Sequence, residues 1–204
     1  MQIGDLRHVM AVTTQKLTFA EYLAYDDGTG AKYELVNGDL VRMALGTGEH
    51  GDISEFLNEA FKDEIKRYSL PWTSRDMKIG IQSPRGTRWD TVRVPDVVVL
   101  PLEQWASLKK RESVIALNEL PPLLVVEVIS PSTATEDYRA KRTEYAVLNI
   151  PEYWIVDPIQ ALVTVCTLRD GAYDDQVFQG NDRISSPTFA SLNLTAAQVL
   201  GTEG

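Results

Sequence analysis

The chain has 204 residues, 44% of them apolar and 8% aromatic, which suits a globular domain with its own core and excludes a disordered chain. Its formal net charge of −9 and pI of about 4.8 exclude a broad, non-specific grip on nucleic acid, which needs many phosphate-neutralising Lys and Arg. A single cysteine, Cys166, and two distant histidines, His8 and His50, exclude an intrachain disulfide and a Cys/His zinc site, so any metal would be held mainly by oxygen, as Mg²⁺ or Mn²⁺.

Met1 to Gln15 mixes Asp5, Arg7 and His8 with small residues and reads as a loose tail ahead of one domain spanning 16–204. It lacks the apolar run of a signal peptide, and no segment approaches the roughly eighteen apolar residues of a membrane span, so a cytoplasmic protein is expected. Thr18 to Tyr25 reads as a short helix with Thr18 as cap and Glu21 three residues on. Tyr33 to Val41 reads as a hairpin turning at Asn37-Gly38, the dipeptide that favours a type I′ turn. Ile53, Phe56, Leu57, Ala60, Phe61, Ile65 and Tyr68 recur at helical spacing and predict a long amphipathic helix. His50, just ahead of it, reads as a cap or surface residue.

Trp72 to Ile81 reads as a strand, Ser83 to Gly86 as a turn, and Val92 to Leu100 as one β-branched strand. Arg85, Arg88 and Arg93 are close in sequence and leave room for a local basic cleft. Leu102 to Arg111 is a short helix or loop. Leu123 to Ile129, an almost continuous apolar run, predicts a central strand buried on both faces. Thr133-x-x-Glu136 predicts a capping box opening a helix to about Asn149. Tyr153 to Asp157 is a further strand, and Leu162 to Leu168 with Ala172 to Phe178 form a second hairpin across Asp170-Gly171. The order predicts a mixed α/β sandwich with a βαβ-like crossover in its middle.

Three residues carry the chemistry. Glu127 lies inside Leu-Leu-Val-Val-Glu-Val-Ile, where desolvating a lone carboxylate costs several kcal/mol, so it needs a cation, a hydrogen-bonding network or a proton. Asp96 interrupts a similar run directly after Pro95, which cannot donate to a sheet ladder and marks an edge, a bulge or a strand start. Two acids on neighbouring buried strands would repel unless a divalent cation lay between them. Lys141 shares a helix face with Tyr138, Tyr145 and Leu148 at spacings of three and four residues. Either its ammonium is directed to a task inside, or its stem runs along the core edge with the head in water.

Val94-Pro95-Asp96-Val97-Val98 resembles the PD element of PD-(D/E)xK nucleases, and Val126 to Thr133 resembles their second acidic element. The chain from about Thr18 to Leu200 resembles the bacterial family of restriction-endonuclease-like proteins that is expanded in cyanobacteria. Lys32 to Gly38, the PD strand, the Glu-Val-x-Ser-Pro-Ser-Thr strand end, the helix with Asp137 and Lys141, and Ile150 to Asp157 follow in the family's order. The resemblance implies a restriction-endonuclease-like mixed β-sheet flanked by helices, with an N-terminal hairpin and a C-terminal β-hairpin. It implies Asp96, Glu127 and the Val128 carbonyl as metal ligands, and Glu34 as the acid that supports metal or water. In the superfamily a lysine stands two residues after the second acid. Here that position is Ile129, and the resemblance implies a migrated lysine, for which Lys141 is the match.

The expected function is metal-dependent hydrolysis of DNA phosphodiester bonds by a homodimer, without membrane or organic cofactor. Two alternatives stand beside it: a nuclease-fold binding or regulatory module without turnover, and a homo-oligomeric interaction protein. Trp105, Tyr153 and Trp154 read as core or interface aromatics.

Overall fold

The computed structural model describes residues 16–43, 46–86, 88–130 and 136–202, with residues 136 and 137 described by their backbone. The expected tail Met1–Gln15, the cap Thr133 and the side chain of Asp137 lie outside the described residues.

Helix α1 (Phe19–Leu23) is closed at its start by the expected capping box between Thr18 and Glu21. Strands β1 (Tyr33–Val36) and β2 (Asp39–Arg42) form the N-terminal hairpin. Its turn residues Asn37 and Gly38 have φ of 52° and 85°, as a type I′ turn requires. Helix α2 (Gly48–Arg67) begins at Thr47, whose hydroxyl accepts the His50 N–H. It buries Ile53, Leu57 and Phe61, the apolar stripe expected from helical spacing.

The region Trp72–Leu100 departs from the sequence expectation of two continuous strands. It forms four: β3 (Trp72–Asp76), β4 (Gly80–Gln82), β5 (Val92–Arg93) and β6 (Val97–Pro101). β3 pairs with β6, and β4 pairs with β5. The four segments are thus one antiparallel ribbon bent in its middle, with each half in a different sheet. The bend has local causes on both strands. Met77 takes a φ of 42°, and across from it Pro95 has no N–H to offer the ladder. The Met77 N–H donates to the Asp96 carbonyl at 2.9 Å, holding the corner together. Gly80 sits where a Cβ would come within 2.9 Å of Val92 and 3.0 Å of Val114, so a side chain there would push the small sheet apart.

The small sheet runs β2-β1-β5-β4-β7, where β7 is Val114–Ile115. The two-residue β7 was not visible in the sequence, being too short for a period to show. The large sheet runs β11-β10-β9-β8-β6-β3, with β8 (Leu124–Val128), β9 (Glu152–Asp157), β10 (Leu162–Arg169) and β11 (Ala172–Gln179). The apolar run of β8 is central as expected, antiparallel to β6 and parallel to β9. The crossover from β8 to β9 carries a π-helical turn, Glu136–Lys141, that passes directly into α4 (Arg142–Val147). Helix α3 (Leu102–Leu108) follows β6, and α5 (Ala196–Val199) closes the chain behind its own Thr195–Gln198 capping box.

Each face of the large sheet has its own core. Val97, Val99, Val126, Val128, Trp154 and Val156 pack against Ile53, Leu57 and Phe61 of α2. Val125, Ile129, Tyr153 and Ile155 pack against Tyr145 of α4 and Ile81 of the small sheet. This is the restriction-endonuclease-like mixed α+β arrangement, with helices on both faces and hairpins at both ends. Among the described residues no helix is long and apolar enough to cross a membrane.

Candidate active site

The bend in the ribbon and the end of β8 come together at one place. Val97 lies opposite Val126 in the ladder, and one step further along both strands puts Asp96 across from Glu127. Both are buried, at 6% and 3% exposure. Asp96 Oδ2 accepts the Val128 N–H at 2.7 Å, so the carboxylate is fixed to the very strand that carries the second acid. His50, from the first turn of α2, places Nε2 3.3 Å from Asp96 Oδ1. The sequence reading of His50 as a cap or surface residue missed this contact, because nothing near position 50 in the chain announces position 96.

Glu127 is met from the opposite face of the sheet. Lys141 places Nζ 2.8 Å from Glu127 Oε2, and the Tyr145 hydroxyl donates to Glu127 Oε1 at 2.7 Å. Lys141 is buried, so of the two readings of its helix stripe the inward one describes the molecule. Lys141 and Tyr145 are four residues apart, which brings both to one helix face. The π turn ends at Lys141, and such insertions recur where a helix must present side chains to a site. Tyr138, inside the turn, donates from its hydroxyl to Asp157 Oδ2 of β9 at 2.9 Å. Burial, and next the negative charge of Glu127, hold the Tyr145 phenol well above its ordinary pKa, so it stays a donor. Ile129, the position where the superfamily has its lysine, is a buried core residue.

Glu34 is placed differently from an open ligand. Its Oε1 accepts the Val94 N–H at 3.0 Å, and its Oε2 accepts from Arg93 Nη1 at 3.2 Å. Arg93 in turn is 2% exposed and pairs with Glu144 of α4. The basic cleft left open for Arg85, Arg88 and Arg93 does not form, because each faces an acid. Arg85 lies 3.5 Å from Glu144 and Arg88 2.9 Å from Asp90.

The donors suit a hard divalent cation. Two carboxylates on neighbouring strands are hard oxygen donors of the kind Mg²⁺ prefers. Among the described residues no group of three or more His, Cys, Asp or Glu side chains is disposed to hold a metal. Water and phosphate oxygens would have to complete the shell.

A family model described as "Uma2: Putative restriction endonuclease" matches residues 19–197. The chain belongs to the Uma2 family. Two proteins of Synechocystis sp. (strain ATCC 27184 / PCC 6803 / Kazusa) are similar to it. Slr1290 is 28% identical over 141 residues, covering 69% of this chain and 68% of that one. Sll1609 is 25% identical over 150 residues, covering 73% and 79%. The fold also resembles the crystal structure of a putative nuclease belonging to DUF820 from Anabaena variabilis ATCC 29413. That match has a TM-score of 0.72 at 17% identity and covers 91% of this chain and 98% of the other. Family and fold together support a nuclease function, and nucleases of this type generally use divalent metals.

Proposed function

We propose that this Uma2 protein is a metal-dependent endonuclease that hydrolyses DNA phosphodiester bonds, with residues 16–204 as one catalytic domain. The observation that carries the reading is the Lys141 ammonium at 2.8 Å from Glu127, near the end of β8, with the other acid, Asp96, across the ladder from it. That contact supports the migrated-lysine arrangement, because it restores the acid, acid and lysine set although position 129 is isoleucine.

Asp96, Glu127 and the Val128 carbonyl are the residues that would hold Mg²⁺ or Mn²⁺. When bound, the cation supplies positive charge that polarises a phosphate oxygen and favours ionisation of water near pH 7. Asp96 is held for this by the Val128 N–H and His50, so its carboxylate needs no reorganisation. Lys141 is placed to orient the attacking water or to neutralise charge developing on the phosphoryl oxygens. Tyr145 keeps Glu127 in one rotamer by donating to the oxygen that Lys141 does not use. Glu34 acts beside the metal through the chain segment that bears Asp96. The acting unit is proposed to be a homodimer in the cytoplasm, since a two-fold pair cuts both strands of a duplex symmetrically.

The test is cleavage of supercoiled, linear and single-stranded DNA with Mg²⁺, with Mn²⁺ and with chelator. Cleavage is expected with metal and lost in Asp96→Ala, Glu127→Ala and Lys141→Met. Cleavage that survives all three substitutions would remove the site. Metal binding by the wild type without cleavage of any of these DNAs would favour the nuclease-fold module without turnover. Light scattering that finds only monomer at working concentration would overturn the dimer.

A further inference from the structure

The second cluster of buried charge in this molecule is centred on Arg93. Its guanidinium meets Glu144 as a two-pronged fork, Nε to Oε2 at 2.8 Å and Nη2 to Oε1 at 3.0 Å. Its Nη1 donates to Glu34, and the other oxygen of Glu34 accepts the Val94 N–H. Each member has a meaningful position in the chain. Val94 is separated from Asp96 by Pro95 alone. Glu144 is three residues after Lys141 and one before Tyr145, the two residues that hold Glu127.

The contacts therefore close into a ring. Asp96 is bonded to Val128 beside Glu127, Glu127 to Lys141 and Tyr145, and their helix through Glu144 to Arg93. Arg93 leads to Glu34, and Glu34 to the main chain that delivers Asp96. The ring also joins the two sheets. Arg93 belongs to β5 of the small sheet, Glu127 to β8 of the large one, and α4 lies between them with Lys141 and Tyr145 directed to one and Glu144 to the other.

We infer that Arg93 and Glu144, together with Glu34, are positioning residues that set the distance of the Lys141 ammonium from the Asp96–Glu127 pair by fixing α4 against the PD corner. The inference rests on the nuclease reading of that pair. Fold stability alone is a poor reason for such a cluster. A buried ion pair roughly breaks even against apolar residues of the same size. What the fork adds is direction, because two parallel N–H bonds to a carboxylate fix both the distance and the rotation of the helix that bears it. Apolar contacts at the same place would let α4 roll or slide. Burial works against the charge on Arg93, but the bonds to Glu144 outweigh it and hold the guanidinium firmly protonated.

The experiment compares Glu144→Gln, Arg93→Lys and the double variant Arg93→Met/Glu144→Met with the wild type. The first readout is the nitrogen-edited NMR signal of the Lys141 ammonium, assigned by its loss in Lys141→Met. The second is the melting temperature, and the third is kcat and KM for metal-dependent DNA cleavage. The double variant is expected to melt close to the wild type, yet lose or shift the Lys141 signal and drop kcat by about 10²-fold, with KM within about twofold. Glu144→Gln should do the same to a smaller degree, and it decides the matter by the same readouts if the double variant fails to fold. An unshifted Lys141 signal in folded variants would overturn the inference and leave the cluster a structural ion pair. The NMR readout does not depend on turnover, so a wild type that cleaves nothing would refute the nuclease reading while the positioning of Lys141 is still decided.

Discussion

Two glutamates on adjacent strands of the large sheet are both buried, and they are satisfied in opposite ways. Glu152 of β9 is fully buried and accepts from neutral donors: Trp154 Nε1 at 2.6 Å, Ser186 Oγ at 2.7 Å and the Thr188 N–H at 2.7 Å. Two of those donors come from the C-terminal segment, so Glu152 pins that segment to the sheet. Glu127 of β8 is held by an ammonium and a phenol, with a second acid across the ladder. Burial alone does not distinguish a working carboxylate from a structural one. The partners differ: Glu152 meets neutral N–H and O–H groups, whereas Glu127 meets an ammonium and stands across the ladder from a second acid, the surroundings expected of the proposed metal-site carboxylate.

The contrast breaks most visibly in catalysis. Glu127→Ala and Lys141→Met should each lower the rate of metal-dependent DNA cleavage by about 10²-fold or more. Glu152→Gln should leave the rate per folded molecule unchanged, as measured with active-site concentrations corrected by the folded fraction. A comparable loss in Glu152→Gln would mean that burial, and not partner chemistry, marks function in this sheet.

Stability should separate the two sites in the reverse sense. Glu152→Leu strips an acceptor from the buried Trp154 and Ser186 donors and the part-buried Thr188 N–H, and should cost about 3 kcal/mol or more in urea denaturation. Glu127→Gln combined with Lys141→Met removes both charges together and keeps an acceptor for Tyr145, so it should stay within about 1 kcal/mol of the wild type. Equal losses would show that the Lys141 pair is as structural as the Glu152 cradle.

Metal binding sharpens the difference further. Calorimetric titration with Mn²⁺ should show affinity weakened about tenfold or more in Asp96→Asn and untouched in Glu152→Gln. Equal binding by both variants would remove Asp96 from the ligand set.

The smallest expected effect concerns Tyr145. Tyr145→Phe deletes one buried hydrogen bond and should cost about 1 kcal/mol near neutral pH. Burial and then Glu127 raise this phenol's pKa in the folded state. Its contribution is therefore complete below the unfolded value near 10 and is lost as pH rises beyond it toward the folded value. The wild type should lose more stability than Tyr145→Phe between pH 8 and pH 11, read as the shift in urea midpoint. Tyr22, raised by burial to about 12, leaves some alkaline loss in both proteins. Identical midpoint shifts would place the Tyr145 hydroxyl outside the Glu127 site.

Much of the fold was legible because its signals are local. A capping box, an Asn-Gly turn, a helical stripe and an apolar run each act within a few residues, and the structure has α1, the β1–β2 hairpin, α2 and β8 where those signals stand. Glu127 was legible for a related reason, since a carboxylate among six apolar neighbours, Leu123 to Val126 with Val128 and Ile129, is anomalous on its face. The bend at Met77 and Asp96 was legible on one side only: Pro95 marked an edge, a bulge or a strand start, but nothing at Met77 announced the left-handed residue on the opposite strand. Arg85, Arg88 and Arg93 read as one basic group by proximity in sequence. Arg88 turns to Asp90 two residues on, whereas Arg85 and Arg93 both meet Glu144, 59 and 51 residues away.

The sequence by itself determined most of the elements and their order, apart from β7 and the break in the Trp72–Leu100 ribbon, and singled out two acids and a lysine for the proposed chemistry. Those follow from short-range backbone preferences and from the cost of burying charge, which act wherever the residue stands. Only the tertiary structure decided which charges meet. It bent one ribbon across two sheets, brought His50 to Asp96 and Lys141 to Glu127, and took Arg93 out of the basic group it shares in sequence with Arg85 and Arg88 into a buried pair with Glu144 of α4. Contacts of that kind join residues many positions apart, and their energies exist only once the sheets and helices have packed.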